Sequence, residues 1–276
     1  MKVILAEYQG FCYGVKRAIG LARDNARVDG RAATLGPIIH NPQMVSRLES
    51  EGVGTVDSPE EMKRGDTIII RSHGVGPEVY EEVERLGLKV VDATCPHVKQ
   101  AQMAAHRLVS EGYNVVIIGE KQHPEVKSIF EWSGSKATVI DSVEEAAGLM
   151  PCARLGIVSQ TTFSGEKFNQ IVGTLLSKSN DVHILRTICT ATDQRQTAAI
   201  KLAGEVDLML VIGGKNSANT TRLAQLCAEK CSTYHIETAS ELRSEWFDGI
   251  ENIGITAGAS TPDWVIKEVY EKCKKK

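Results

Sequence analysis

The sequence predicts an α/β protein made of three small domains with mostly parallel sheets, related by a pseudo-threefold axis around a central cavity. Three observations support this fold class. Short apolar runs alternate with helix-like segments, one pattern of residues occurs three times, and polar clusters follow the predicted strands. In parallel sheets, ligands bind beyond the carboxyl ends of the strands. The three copies can therefore direct their polar clusters into one shared cavity.

The repeated pattern begins at a cysteine. Cys12, Cys95 and Cys189 each lie where a strand-like apolar run gives way to a helix-like segment. A glycine that opens a polar turn follows each cysteine by 24 positions. These glycines are Gly36, Gly119 and Gly213. The spacing therefore places the three cysteines at equivalent positions of the three copies. We call such an equivalent position a repeat address.

The rest of each copy agrees with this alignment. Each has a strand-like stretch that ends in an acidic residue, then a short Glu-containing helix, a further strand and a closing helix. The acidic residues are Asp57, Asp141 and Glu237. The predicted domains are 1–95, 96–188 (with Cys95 at its start) and 189–276.

Composition excludes several classes of protein. The chain of 276 residues has 32 Lys and Arg against 35 Asp and Glu, and this net charge of −3 does not favour nucleic acid or an anionic membrane as partner. No apolar run approaches the ~20 residues that span a bilayer. Seven cysteines, an odd number, do not fit a secreted disulfide framework. We therefore expect a cytoplasmic protein with reduced thiols.

Three cysteines at one repeated address indicate a metal or cluster site. The alternative is three buried, inert thiols, a common state for a single cysteine. The sequence holds no Cys-X-X-Cys pair, which argues against a zinc ribbon. Three thiolates can bind zinc with an open position, or an iron–sulfur cluster in which one iron lacks a protein ligand, and sulfur ligands without histidine favour the cluster. Such an iron can bind a substrate oxygen as a Lewis acid while the cluster supplies electrons, so we expect reductive or dehydrating chemistry on an alcohol.

A second set of residues is suited to an anion. It comprises His40, His73, His123, Thr161, Ser217, Asn219 and Ser260. Within this set, His73, Thr161 and Ser260 are expected to share one repeat address. A single histidine of this kind is usually an ordinary turn residue, whereas a converging ring of such side chains supplies the donors that phosphate needs. No Walker loop or Gly-X-Gly-X-X-Gly motif is present, so a nucleotide is not indicated.

Glu125 follows His123 and Pro124 and lies at the start of a predicted helix. As a carboxylate at a helix N-terminus it can simply be stabilised by the helix dipole. Alternatively, it can donate a proton to a substrate in the same cavity. Spacing alone leaves both roles open.

Nine motifs containing these residues resemble those of the 4-hydroxy-3-methylbut-2-enyl diphosphate reductase family, which acts last in the non-mevalonate isoprenoid pathway. The match runs in collinear order over essentially the whole chain. The motifs are Gly10-Phe11-Cys12-X-Gly14-Val15-X-Arg17-Ala18, Ile39-His40-Asn41-Pro42, Arg71-Ser72-His73-Gly74, Asp92-Ala93-Thr94-Cys95-Pro96, His123-Pro124-Glu125-Val126, Ser159-Gln160-Thr161-Thr162, Thr187-Ile188-Cys189, Gly213-X-Lys215-Asn216-Ser217 and Gly258-Ala259-Ser260.

The resemblance implies a three-lobed α/β fold around a [4Fe–4S] cluster held by Cys12, Cys95 and Cys189. It implies reductive removal of the substrate's allylic hydroxyl with two electrons and two protons, giving isopentenyl diphosphate and dimethylallyl diphosphate. The implied electron donor is a reduced ferredoxin or a flavodoxin-type protein.

The resemblance also implies roles for single residues. The family residue that matches Glu125 delivers protons, and the one that matches Thr161 helps to position the hydroxyl end of the substrate. The residues implied to hold the diphosphate are His40, His73, His123, Ser217, Asn219 and Ser260.

The chain departs from the family pattern at three positions. Ala218 separates Ser217 from Asn219 where the family commonly has a second serine, so one hydroxyl donor to phosphate is absent. Arg186 stands where asparagine usually precedes Thr-Ile-Cys, and Ser128 replaces a frequent glycine. None of these is an expected cluster ligand.

Two other functions are compatible with a three-cysteine cluster. A dehydratase or condensing lyase similar in logic to quinolinate synthase would use the cluster only as a Lewis acid, but a dicarboxylate substrate favours arginine clamps over a His/Ser ring. An iron–sulfur sensor should show a strongly charged partner surface or a DNA-binding helix pair, and the sequence indicates neither. A requirement for an external reductant separates the reductase from the lyase.

Overall fold

The computed structural model describes residues 1–26 and 31–275. Residues 27–30 and 276, which belong to the predicted first and third domains, lie outside the described residues. The strands are β1 (Lys2–Leu5), β2 (Ala32–Leu35), β3 (Val53–Val56), β4 (Thr67–Ile70), β5 (Lys89–Asp92), β6 (Asn114–Ile118), β7 (Thr138–Ile140), β8 (Arg154–Ser159), β9 (Asp181–Ile184), β10 (Leu208–Ile212), β11 (Ser232–Ile236) and β12 (Asn252–Ala257). The helices are α1 (Tyr13–Asn25), α2 (Pro42–Ser50), α3 (Pro77–Arg85), α4 (Pro96–Ser110), α5 (Pro124–Trp132), α6 (Val143–Gly148), α7 (Gly165–Leu175), α8 (Thr190–Ala203), α9 (Ala218–Ala228) and α10 (Asp263–Lys274).

The described strands form three sheets of four, and every pair of neighbours is parallel. The three sheets have the same strand order, namely β3-β2-β4-β5, β7-β6-β8-β9 and β11-β10-β12-β1. This confirms the predicted α/β fold class with parallel sheets. The central strands β4 and β10 are buried at every residue, because helices and loops cover both faces of such sheets.

Hydrogen bonds confirm that the glycines found by spacing are equivalent. The main-chain N–H groups of Gly36, Gly119 and Gly213 donate to the last residues of β3, β7 and β11, at 2.7, 2.8 and 2.9 Å. The acidic residues that follow those strands are also equivalent, because their main chains make the same hydrogen bond. The N–H groups of Asp57, Asp141 and Glu237 each donate to the carboxylate of the glutamate four residues later, at 2.7 to 2.9 Å.

The N-terminal strand completes the last sheet. β1 pairs with β12, with Lys2 opposite Asn252 and Leu5 opposite Ile255. The predicted boundary at residue 95 assigns this strand to the first domain, and the three domain boundaries stay predictions. In all three sheets the edge strand beside β4, β8 or β12 is the one that leads to a cysteine.

The chain divides into two compact units. The first contains residues 1–16, 39–46 and 190–276, and holds the sheet formed by β1 and β10 to β12. The second contains residues 17–38 and 47–189, and holds the other two sheets. Each unit has its own apolar core between its sheets and helices. Among the described residues, no helix combines the length and apolar character needed to cross a bilayer.

Candidate functional site

The three repeat-address cysteines occupy matching positions at the ends of strands. Cys12 immediately precedes α1, Cys95 precedes α4 and Cys189 precedes α8. None of the three forms a disulfide bond and all are partly exposed, whereas Cys227 and Cys273 are fully buried in apolar cores. Because these thiols are partly exposed, a ligand can reach them. At a helix start the first main-chain N–H groups also have no partner within the helix.

A main-chain hydrogen bond fixes each of these cysteines. The N–H groups of Cys12, Cys95 and Cys189 donate to the carbonyl oxygens of Ala259, Ser72 and Thr161, at 3.2, 2.9 and 3.0 Å. Each acceptor lies two residues after β12, β4 or β8. The equivalence of these acceptors shows that the three cysteines hold one address in the fold.

The same hydrogen bonds correct one detail of how the three repeat copies were matched to one another. Thr161 corresponds to Ser72 and Ala259, so it lies one residue before the address of His73 and Ser260. The expectation that Thr161 shares the address of those two residues was wrong by one position. An apolar run does not show at which residue a strand ends, whereas the cysteine hydrogen bond does.

Glu125 is the second residue of α5, and its carboxylate is enclosed by protein. The side chain is 2% exposed. Thr161 donates to it twice, from its main-chain N–H at 2.5 Å and from its hydroxyl at 3.0 Å. Burial disfavours the charged form and raises the pKa of Glu125 to about 7, against the lowering effect of the two Thr161 hydrogen bonds. The group can therefore hold a proton near neutral pH and release it.

Two histidines of the second unit are linked to Glu125, since His123 contacts its main chain and His73 contacts His123. His123 caps α5, because its Nδ1 accepts the main-chain N–H of Glu125 at 3.2 Å. An accepting Nδ1 carries no proton, which places the ring proton on Nε2. The ring of His73 lies edge-on to that of His123, with centroids 5.5 Å apart. The structure thus brings His73, His123, Glu125 and Thr161 together within one unit.

The polar residues of the first unit gather at the start of α9. Ser217 is its N-cap and accepts hydrogen bonds from the N–H (3.4 Å) and hydroxyl (3.1 Å) of Thr220. Both contacts use Ser217 as acceptor and leave its hydroxyl proton for another group. Asn219 is 5% exposed, and neither of its side-chain amide atoms has a partner among the described residues. A buried amide without partners indicates a ligand, because leaving both atoms unpaired is costly.

His40 and Ser260 belong to the same unit and contact each other through the main chain. The hydroxyl of Ser260 donates to the carbonyl oxygen of His40 at 3.3 Å. The loop before α9 packs closely on this segment, since a Cβ atom at Gly214 would lie 2.9 Å from the same carbonyl oxygen. His40, Ser217, Asn219 and Ser260 are therefore positioned by one set of neighbouring loops.

Two arginine side chains fix the main chain just before Cys95 and Cys12, and no role was predicted for either of them from sequence. Arg17, on α1, donates to the carbonyl oxygens of Asp92 (3.3 Å) and Thr94 (3.2 Å), directly before Cys95. Arg195, on α8, is 6% exposed and donates to the carbonyl oxygen of Gly10 at 2.8 Å, two residues before Cys12. In both cases the sequence shows an arginine on the helix that follows a cysteine, and this pattern could have indicated the role.

The remaining cysteines lie away from the repeated address. Cys227 is on α9, and Cys231 lies beyond the end of that helix. Burial raises the pKa of the Cys227 thiol to about 12 and also raises that of Cys231. Neutral thiols packed in an apolar core are poor metal ligands.

Comparisons with known proteins agree along the whole chain. A family model described as LytB protein matches residues 3–274. The 4-hydroxy-3-methylbut-2-enyl diphosphate reductase of Citrifermentans bemidjiense is 49% identical over 99% of this chain and 96% of its own length. The enzyme of the same name from Aquifex aeolicus is 49% identical over 98% and 95%.

Two solved structures are also similar to this chain. One is described as (E)-4-hydroxy-3-methyl-but-2-enyl diphosphate reductase, the terminal enzyme of the non-mevalonate pathway, with a TM-score of 0.75, 48% identity and complete coverage of both chains. The other is the E-1-hydroxy-2-methyl-but-2-enyl-4-diphosphate reductase of Plasmodium falciparum, with a TM-score of 0.94 and 26% identity over 98% of this chain and 87% of that chain.

Proposed function

This chain belongs to the LytB protein family, and on that premise we propose that it reduces (E)-4-hydroxy-3-methylbut-2-enyl diphosphate to isopentenyl diphosphate and dimethylallyl diphosphate. The enzyme class is an oxidoreductase, because full-length relatives at 49% identity carry the name of this reductase. In the proposed reaction the allylic C–O bond breaks. Two electrons and two protons are consumed, one proton forming a C–H bond and the other leaving with the hydroxyl oxygen as water.

The donor set fits an iron–sulfur cluster. Cys12, Cys95 and Cys189 would hold it, because they are partly exposed cysteines without a disulfide bond at equivalent helix starts. Three thiolates leave one iron of a [4Fe–4S] cluster without a protein ligand. When bound, the cluster supplies electrons and a Lewis-acidic iron at the hydroxyl end of the substrate.

The diphosphate is proposed to bind the neutral donors of the polar set. The hydroxyl proton of Ser217 and the side-chain amide of Asn219, which has no partner among the described residues, are available to anionic oxygens. His40, His73, His123 (through its Nε2–H) and Ser260 complete the set. Hydrogen bonds from such donors to a charged group contribute about 1.5–3 kcal/mol each, so a few of them suffice for firm binding.

Glu125 is proposed to supply protons through Thr161. When Glu125 is ionised, the Thr161 hydroxyl donates to it at 3.0 Å. When Glu125 is protonated, its O–H can donate to the same hydroxyl, which then turns its own proton toward substrate. The main-chain N–H of Thr161 holds the other carboxyl oxygen in both states. A pKa of about 7 allows both states to be populated at neutral pH.

The observation that carries this proposal is the enclosure of Glu125. A glutamate that only stabilises a helix N-terminus is normally ionised and in contact with water. Glu125 is instead 2% exposed, bound twice by one threonine, and has its pKa raised to about 7. This supports the role of proton donor over the role of helix-stabilising charge.

The test is a turnover assay on anaerobically purified, cluster-loaded protein with the allylic diphosphate and dithionite-reduced methyl viologen. We expect both isopentenyl and dimethylallyl diphosphate, with two viologen cations oxidised per molecule of product. The substrate alcohol without its diphosphate should bind poorly. Consumption of substrate without any reductant would instead indicate a lyase or dehydratase, and absence of consumption would refute the proposed substrate.

A further inference from the structure

Ser128 is a buried polar residue, 1% exposed, whose hydroxyl makes several hydrogen bonds near the proposed site. It lies on α5, one helical turn after Glu125. Its hydroxyl is 2.8 Å from the carbonyl oxygen of Glu125 and 3.0 Å from that of His73, and shares its proton between them. Gln102, on α4, donates to the same hydroxyl at 3.1 Å. One buried oxygen therefore joins two helices and the loop that carries His73.

The loop after His73 packs directly on this pair. Gly74 has a φ of +73°, which a residue with a side chain rarely adopts. A Cβ atom there would overlap the amide nitrogen of Gln102 and would lie 3.4 Å from the hydroxyl of Ser128. The indole N–H of Trp132, at the end of α5, also donates to the carbonyl oxygen of Val75 at 2.9 Å. Helix α5 thus holds this loop at two points.

α5 also determines the position of the other groups near the loop. It begins directly after His123, which caps it, and it carries Glu125. A hydrogen bond from α5 to the carbonyl oxygen of His73 therefore sets the main chain of one proposed phosphate donor relative to another donor and to the proposed acid. A glycine at position 128 provides no side-chain hydrogen bond to His73.

We propose that Ser128, supported by Gln102, is a positioning residue that fixes His73 against helix α5 for binding of the diphosphate. This inference rests on the proposed function. Loss of the Ser128 hydroxyl removes one neutral hydrogen bond, and should weaken binding of diphosphate about 3- to 10-fold. Since Ser128 does not contact the Glu125 carboxylate, the pH dependence of turnover should stay unchanged.

The experiment measures the Kd of inorganic diphosphate by calorimetry on cluster-loaded wild type and on Ser128→Ala. Ser128→Gly is measured in parallel, so that failure of one variant to fold does not remove the test. Ser133→Ala is the matched control, because Ser133 is also 1% exposed but its hydroxyl bonds Phe130 and Ala137 rather than the loop of His73. We expect weaker binding in both Ser128 variants and an unchanged Kd in the control.

A double variant separates positioning from general stability. If Ser128 acts through His73, then Ser128→Ala should change the Kd less than twofold in a His73→Asn background. If the fold-changes in Kd caused by the two substitutions simply multiply, the inference is overturned. The same holds if both Ser128 variants bind diphosphate with wild-type affinity. Either result would leave the proposed function intact. Absence of diphosphate binding by wild type would overturn the proposed function itself, and the inference with it.

Discussion

The main-chain N–H of Cys189 donates to the carbonyl oxygen of Thr161 at 3.0 Å. Thr161 is also the residue whose N–H and hydroxyl bind the carboxylate of Glu125. One threonine therefore contacts a proposed cluster ligand on one side and the proposed proton donor on the other. This arrangement gives the proton donor a fixed place beside a proposed ligand of the electron-supplying group, within one compact unit.

Glu125→Gln should bind substrate but lose most of its turnover. The change keeps the size of the side chain and its contact with the Thr161 N–H, and removes only the transferable proton. Loss of a general acid typically lowers kcat by ~10²–10⁴-fold. The matched control is Glu144→Gln, since Glu144 is an exposed glutamate in the first turn of another helix, α6. If Glu125→Gln turned over at a rate close to that of wild type, with unchanged cluster content, Glu125 would act only as a charge at a helix start and not as the proton donor.

Turnover should depend on pH through Glu125. Burial raises its pKa from an ordinary 4.5 to about 7, so the folded protein keeps this group protonated up to about neutral pH. As the donor must be protonated, kcat should fall as the pH rises through about 7 and should be maintained below it. The profile is measured at saturating substrate with an electron donor whose potential is independent of pH. A kcat that stays constant from pH 6 to 9 would contradict this role.

Thr161→Val should slow turnover and shift the same pH limb upward. The valine keeps the main-chain N–H on Glu125 but removes the hydroxyl, whose hydrogen bond lowers the pKa of the carboxyl group. The limb should move to higher pH by about one unit, the equivalent of a hydrogen bond of ~1.4 kcal/mol. Thr34→Val is the control, because Thr34 is also a buried threonine but its hydroxyl bonds Gly54 and Thr55 rather than Glu125. A lower kcat with an unmoved limb would argue against a direct effect on Glu125.

Loss of a diphosphate donor should mainly raise KM. His40→Asn, His73→Asn and Ser260→Ala each remove or weaken one hydrogen bond to a charged group, worth about 1.5–3 kcal/mol, so KM should rise roughly 10- to 150-fold. Cluster content should stay normal because none of the three is a proposed ligand. KM rather than kcat should change, because contacts with the diphosphate are equally strong in the ground and transition states. Wild-type KM in all three variants would remove these residues from the binding site.

The parts of this fold that follow from local pattern were predictable from sequence. Cys12, Cys95 and Cys189 share one spacing to a glycine, and the hydrogen bonds of those glycines show that the spacing reflects a real equivalence. Buried parallel strands are apolar along their whole length, so β4 and β10 were easy to identify. By contrast, the pairing of β1 with β12 joins opposite ends of the chain, and no local pattern encodes it.

The candidate site, like the fold, was predictable from local pattern only in part. The residue types at Glu125 and Thr161 were found from motifs, but the two hydrogen bonds that join them link positions 36 residues apart. The offset of Thr161 from His73 depends on where β4 and β8 end, which a hydrophobic run defines only approximately. Gln102 lies in a helix with no motif, and its role is visible only through its contact with Ser128.

The central claim is that three cysteines at one repeated address hold an iron–sulfur cluster, and the most direct measurement is the iron and sulfide content of anaerobically purified protein. Wild type should be brown with iron and sulfide in a cluster stoichiometry. Cys12→Ser, Cys95→Ser and Cys189→Ser should each lose most of the cluster and abolish activity, whereas Cys227→Ser and Cys231→Ser should retain it, because those thiols are packed in or against an apolar core with raised pKa values. A colourless zinc protein, or a Cys227→Ser protein as depleted as the first three variants, would contradict the account.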